Sequence, residues 1–346
     1  MLSKVILQAN VDRFAKWLDK AENIVIVSHV FPDGDAIGSS LGLAHFLQSQ
    51  DKEVHVVMPN AFPDFLYWMK GAQSIIRYDK HPDEADKLIA EADVICCLDF
   101  NCLKRIDKVA AAVEASKARK MLVDHHLDPE PFCDIVISHP HISSTSELVF
   151  RLICRLGYFE DITTACAECI YTGMMTDTGS FTYNSNSPEI YYIISQLLSK
   201  GIDKDLIYRK VFHTYSEGRL RLMGHVLSHM HVYPEFRAAL ITLTKKEQYR
   251  FNYMRGDSEG FVNLPLQMKG ICFSVFLRED TEKRMIKVSL RSTGEFPCNQ
   301  VAAEFFGGGG HLNASGGEVY GTMDEALERF KAALVKYQPL LLKNKL

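Results

Sequence analysis

Four short stretches bring together side chains that could hold metal ions. HVFPDGDAIGSS presents His29, Asp33 and Asp35; DVICCLDF presents Asp99; MLVDHH ends in Asp124, His125 and His126; and YTGMMTDTGSF contributes Asp177. Charged groups that follow apolar runs are costly to bury unless they are paired or hold a metal. Carboxylates and imidazoles without a thiolate make a hard-to-borderline donor set, which suits manganese or magnesium better than zinc or copper. The set is too large for one ion. Two ions about 3.5–4 Å apart, bridged by a shared carboxylate, are a recurring device for cleaving phosphate esters. A calcium loop is excluded: Asp33-x-Asp35-x-x-Gly38 starts like an EF-hand, but its fifth and twelfth positions are Ile37 and Ala44.

Three further features concern an anionic ligand. Ser144-Thr145-Ser146-Glu147 has the capping-box pattern of a helix start, and helix N-termini attract phosphate. The run FGGGGHLNASGG sets Gly308, Gly309 and Gly310 before His311, where backbone N–H groups without side chains could approach an anion. A P-loop is excluded because no Gly-Lys-Ser/Thr follows. VSLRS ends in Arg291-Ser292, and a guanidinium fork fits a phosphate.

The elements that must position these groups are legible from apolar patterning. Continuous apolar runs at 23–29, 53–59, 93–100, 120–126 and 134–138 alternate with a helix at 37–50 and are followed by helices near 145–157, 161–176 and 188–200. Such runs predict strands buried on both faces of a largely parallel sheet. In such sheets ligands bind beyond the carboxyl ends of the strands, where three of the four stretches begin. Residues 1–200 are expected to form this first domain and 201–232 a helical linker. Residues 233–346 are expected to form a smaller α/β domain, with strands at RAALITLT, GICFSVFLRE and RMIKVSLRS and helices near 245–254, 297–306 and 323–337.

The whole chain sets outer bounds. Its 346 residues are 47% hydrophobic and 24% charged, enough for two domains with cores of their own. A net charge of −4 argues against sequence-independent binding of long duplex DNA, though not against a short nucleotide. No apolar run approaches the roughly 20 residues needed to span a bilayer, and the first residues lack the pattern of a secretory signal. Nine cysteines, among them Cys96-Cys97 and Cys166-x-x-Cys169, read as reduced core residues. A cytoplasmic location without a membrane partner is expected.

Together the motifs resemble the DHH phosphoesterase family, in order and over nearly the whole chain. HVFPDGDAIGSS resembles its first motif, Asp99 its second, Asp124-His125-His126 the motif that names it, and Asp177 in TDTGSF its fourth. GGGGHLNASGG, preceded by Arg291-Ser292, resembles the DHH-associated domain. The two-domain length and short linker are similar to the nano-RNase branch, whose members cleave short oligoribonucleotides and often convert 3′-phosphoadenosine 5′-phosphate (pAp) to AMP. The resemblance implies two manganese ions, or magnesium in their place. It assigns His29, Asp33 and Asp99 to the first, and Asp35, Asp99, His125 and Asp177 to the second, with Asp99 bridging. It makes Asp124 an orienting group, places His126 at the scissile phosphate, and makes Arg291 and His311 substrate contacts. It also implies a homodimer. Two alternatives stay open: another phosphate substrate (cyclic-di-AMP, its linear product pApA, or polyphosphate), or a non-enzymatic nucleotide-binding module.

Overall fold

A computed structural model describes residues 3–254 and 256–344. The chain divides into two compact units, Met1–Thr214 and Tyr215–Leu346.

The first unit is built on six strands: β1 (Asn23–Val27), β2 (Glu53–Met58), β3 (Ile76–Arg77), β4 (Val94–Leu98), β5 (Arg119–Asp124) and β6 (Ile135–Ser138). They lie in the order β3-β2-β1-β4-β5-β6, and every pairing is parallel. The central strands β1 and β4 are apolar, apart from Asn23 at the start of β1, because both faces are covered. Ile24, Ile26, Val94, Cys96 and Leu98 enter one core, while Val25, Val27, Ile95 and Cys97 enter the other. The first core is closed by α1 (Gln8–Leu18), α2 (Gly34–Ser49), α5 (Thr145–Leu156), α6 (Thr164–Asp177) and α7 (Pro188–Ser199). The second is closed by α3 (Pro82–Glu91) and α4 (Val109–Ala115), two helices absent from the sequence reading. Cys166 and Cys169 lie in the first core, and all nine thiols are free.

The strand order reverses between β1 and β4. The crossover from β1 runs to β2 on one side, while β4, β5 and β6 extend the sheet on the other. A crevice at the carboxyl end of the sheet is a consequence of that reversal.

Residues 201–232, expected as one linker, are shared between the units. Ile207 and Val211 of α8 (Lys204–Phe212) are buried in the first core. Leu222 and Val226 of α9 (Glu217–Ser228) pack with Ile241, Leu243 and Phe276 of the second unit. Apolar stripes on two separate helices seek two separate cores, so the chain changes unit between them.

The second unit holds β7 (His231–Tyr233), β8 (Ala238–Leu243), β9 (Phe273–Glu279), β10 (Ile286–Ser292), β11 (Gly309–His311) and β12 (Ala314–Val319), with α10 (Lys245–Arg250), α11 (Cys298–Phe306) and α12 (Met323–Lys343). Its sheet runs β11-β12-β10-β9-β8-β7 and is mixed: β8 and β9 are parallel, the other pairs antiparallel. The glycine run is thus a hairpin edge rather than a loose loop. A side chain on Gly308 would collide with the Gly316 carbonyl, so only hydrogen fits where these two backbones meet. Among the described residues no helix is long and apolar enough to cross a membrane.

Candidate metal centre

The residues at the carboxyl ends of β1, β4 and β5 converge. His29 follows β1, Asp33 caps α2, and Asp35 sits in its first turn. Asp99 follows β4, Asp124 ends β5, and His125 and His126 come next. Asp177 is the last residue of α6. Ligand atoms of His29, Asp33 and Asp99 lie within 4.8 Å of one another, and so do those of Asp35, His125 and Asp177.

Asp99 faces both groups with different oxygens. Its Oδ2 is 3.4 Å from His29 Nε2, and its Oδ1 is 3.6 Å from His125 Nε2. His29 Nε2 is also 4.0 Å from Asp33, while His125 Nε2 is 3.9 Å from Asp35 and 3.5 Å from Asp177. Asp99 holds a left-handed backbone at φ 65°, although it is not glycine. Strain of that kind persists where the surroundings fix it, and here the Asp99 N–H still donates to Val123 O at 3.1 Å.

Both imidazoles have their tautomer set from behind. His29 Nδ1 lies 2.8 Å from the Val30 carbonyl, and His125 Nδ1 lies 3.3 Å from that of Ile142. A carbonyl only accepts, so Nδ1 carries a proton in both rings, and Nε2 is the nitrogen turned toward the carboxylates, the one available to ligate a metal. Asp124, wholly buried, takes both the Nδ1–H (2.7 Å) and the backbone N–H (3.1 Å) of His126. Asp124 therefore orients His126.

The electrostatics follow from crowding. Burial, then the Asp99 and Asp177 carboxylates, hold Asp35 well above the ordinary carboxylate range. Burial works against ionisation of Asp99 too, but the His29 hydrogen bond and the nearby imidazoles outweigh it and keep its carboxyl low. For His125, burial opposes the charge while Asp177, Asp99, Asp35 and Asp124 favour it, and its pKa is pushed up to about 9. The pocket thus carries more buried carboxylate than its own cations offset. Oxygen and imidazole donors with that excess fit hard divalent cations.

The helix start at Ser144 serves the protein itself. Ser144 is fully buried, and its hydroxyl accepts the Glu147 N–H at 3.0 Å. The free N–H groups of α5 point at Asp35: Thr145 N donates to one oxygen at 2.7 Å and Ser146 N to the other at 2.9 Å. The Ser144 hydroxyl, expected at the substrate, caps its own helix, and the carboxylate that the helix start holds is the internal Asp35. Only half the capping box forms: the Glu147 carboxylate accepts from Ser143 and Arg151 instead.

Thr145 was not singled out from the sequence. Its hydroxyl donates to Asp99 Oδ1 at 2.9 Å while its N–H holds Asp35. The glycines that bring α2 against α6 were also missed. A Cβ at Gly38 would stand 2.6 Å from Cys169 O, and one at Gly173 would strike Ser146 and approach Asp35 Oδ1 to 2.8 Å. The four-residue spacing of Gly34, Gly38 and Gly42 was the available signal. In the second unit, Arg291 lies on β10 opposite Ala314 and Ser274, and His311 ends β11, next to Gly309 and Gly310.

An open parallel sheet with carboxylates and imidazoles clustered at its switch point is a build in which an α/β domain can hold divalent cations. Residues 23–174 match the DHH family, N-terminal domain, and residues 240–337 match the DHHA1 domain. The chain is 33% identical over 317 residues to the bifunctional oligoribonuclease and PAP phosphatase NrnA of Thermus thermophilus, covering 90% of this chain and 89% of that one. NrnA of Bacillus subtilis is 26% identical over 309 residues, covering 88% and 91%. Among solved structures, an exopolyphosphatase-related protein from Bacteroides fragilis superposes with a TM-score of 0.96 at 70% identity, covering 99% of this chain and all of that one. The chain belongs to the DHH family of hydrolases.

Proposed function

We propose that this protein is a two-metal phosphoesterase that hydrolyses short oligoribonucleotides to mononucleotides and pAp to AMP. The observation that carries the reading is Asp99, whose two oxygens face two separate groups of ligands. The names of the two NrnA relatives support the choice of substrate.

His29, Asp33 and Asp99 would hold one ion, and Asp35, Asp99, His125 and Asp177 the other. We take these as manganese, with magnesium as the alternative. When bound, such a pair lowers the pKa of water and stabilises charge on an attacked phosphate. The protein's own part is to fix geometry. Thr145 and Ser146 hold Asp35 and Asp99 so that neither carboxylate turns away. Asp124 keeps a proton on His126 Nδ1 and aims Nε2 away from itself, where a proton on Nε2 could be donated to a phosphoryl oxygen. Arg291, His311 and Gly308–Gly310 are retained as substrate contacts on the strength of the family motif. A homodimer, a cytoplasmic location and the division into substrate-binding and metal-binding domains belong to the same proposal.

The test is product analysis with pAp, a diribonucleotide, pApA and polyphosphate, each with manganese and then magnesium. Conversion of pAp to AMP and of the dinucleotide to monomers is expected. Cleavage of polyphosphate alone would overturn the reading in favour of the activity that the Bacteroides fragilis protein's name suggests.

A further inference from the structure

Arg105 lies on the short turn Leu103–Ile106, a few residues beyond Asp99. Its carbonyl accepts the Val30 N–H at 2.8 Å, which ties this turn to the loop carrying His29 and Asp33. The side chain is half-buried. Among the described residues its guanidinium makes no hydrogen bond and no ion pair within 4.0 Å. That is unusual, because Asp33, Asp35, Asp99, Asp124 and Asp177 all gather at this end of the sheet. A half-buried guanidinium without an acceptor of its own, on a turn tied to the loop that carries Asp33, is suited to an anion from outside.

Phe31 follows Val30 in the loop that this backbone hydrogen bond ties to the Arg105 turn. Its ring is 52% exposed, and its backbone is left-handed at φ 56°. The Phe31 N–H donates to Asn60 Oδ1 at 2.7 Å, which secures that conformation. A large apolar ring is thus presented at the surface between two metal-ligand candidates, His29 and Asp33.

We propose that Arg105 and Phe31 form a nucleotide subsite on the first unit: the guanidinium binds phosphate oxygens, and the ring supports the attached base. A guanidinium fork matches phosphate geometry. Stacking on an aromatic tolerates any base, since every base has a π-face. The subsite deepens the proposed function and rests on it for the identity of the reacting substrate. It predicts an enzyme that needs a phosphate and a base close to the metals but reads no base edge.

The experiment uses the full chain loaded with manganese. Arg105→Gln, Arg105→Lys, Phe31→Leu and Phe31→Tyr are compared on pAp and on its base-free analogue, 1-deoxyribose 3,5-bisphosphate. AMP binding is measured by calorimetry, and the manganese-induced thermal shift checks the metal site. Arg105→Gln is expected to raise KM at least ~30-fold on both substrates, with partial recovery in Arg105→Lys. Phe31→Leu is expected to raise KM ~10-fold on pAp alone, with recovery in Phe31→Tyr. AMP binding weakens in parallel, while the thermal shift stays at the wild-type value. KM and AMP affinity within twofold of wild type would overturn the subsite, as would loss of the thermal shift in Arg105→Gln. Should the wild type hydrolyse neither substrate, the proposed function fails, and AMP titration alone decides the subsite.

Discussion

Asp99→Asn is the most informative single change. Asparagine keeps the size and one oxygen of aspartate and tolerates the left-handed backbone found at φ 65°. The fold should therefore survive, while the bridging charge disappears. An ion present at 100 times its Kd stabilises the folded state by about 2.7 kcal/mol, so two independent ions contribute about 5 kcal/mol. For a unit the size of Met1–Thr214, each kcal/mol shifts Tm by about 2–4 °C, which gives a rise of about 10–20 °C on saturation with manganese. Asp99 belongs to both ligand groups through different oxygens. Asp33 belongs to one and Asp177 to the other. Differential scanning calorimetry with and without manganese should thus show most of the shift lost in Asp99→Asn, but only about half lost in Asp33→Asn or Asp177→Asn. Isothermal titration should find two ions in the wild type and one in each of the latter variants. Two ions of undiminished affinity in Asp99→Asn would refute the bridge, and so would loss of both ions in Asp33→Asn.

Three other outcomes follow from the geometry. Thr145→Val removes the hydroxyl that fixes Asp99 and should weaken manganese binding by about 10–100-fold, with Thr145→Ser restoring it; calorimetric titration reads this directly. Gly38→Ala places a methyl against Cys169 O and Gly173 N, so α2 must move from α6. Asp35 and Asp177 ride on those helices and should separate, with manganese affinity falling more than circular dichroism changes; unchanged affinity would show that the contact does not set the site. Glu189 pairs with Arg151 at 2.6 Å. Burial opposes its ionisation, but Arg151 and Ser3 outweigh it and hold its carboxyl below the ordinary range. A depressed folded pKa gives stability that is present above the unfolded value, about 4.3, and lost as the pH falls through the folded one. Urea titrations from pH 6 down to pH 3 should therefore show a shallower acid decline for Glu189→Gln than for wild type, and identical slopes would argue that the pair contributes nothing.

The sequence by itself determined the parallel sheet and the ligand inventory. Apolar runs at 23–29, 93–100 and 120–126 are readable because a strand covered on both faces has no polar side to interrupt it. The ligands are readable because metal chemistry restricts residue type, and each lies within a few residues of a strand or helix end. The short strand β3 and helix α3, with only Ala85 and Ile89 buried, gave too weak a pattern to be placed. The glycine run could not be read as a hairpin, since β11 and β12 have few side chains to alternate; β11 exists by pairing with β12, and β12 by pairing with β10. Only the tertiary structure decided who holds the ligands. The start of α5 looked like an anion site and is one, but its anion is Asp35, which lies 110 residues away in sequence. A hydrogen-bond donor does not encode its acceptor. The fold chooses it by bringing the nearest unsatisfied charge within reach.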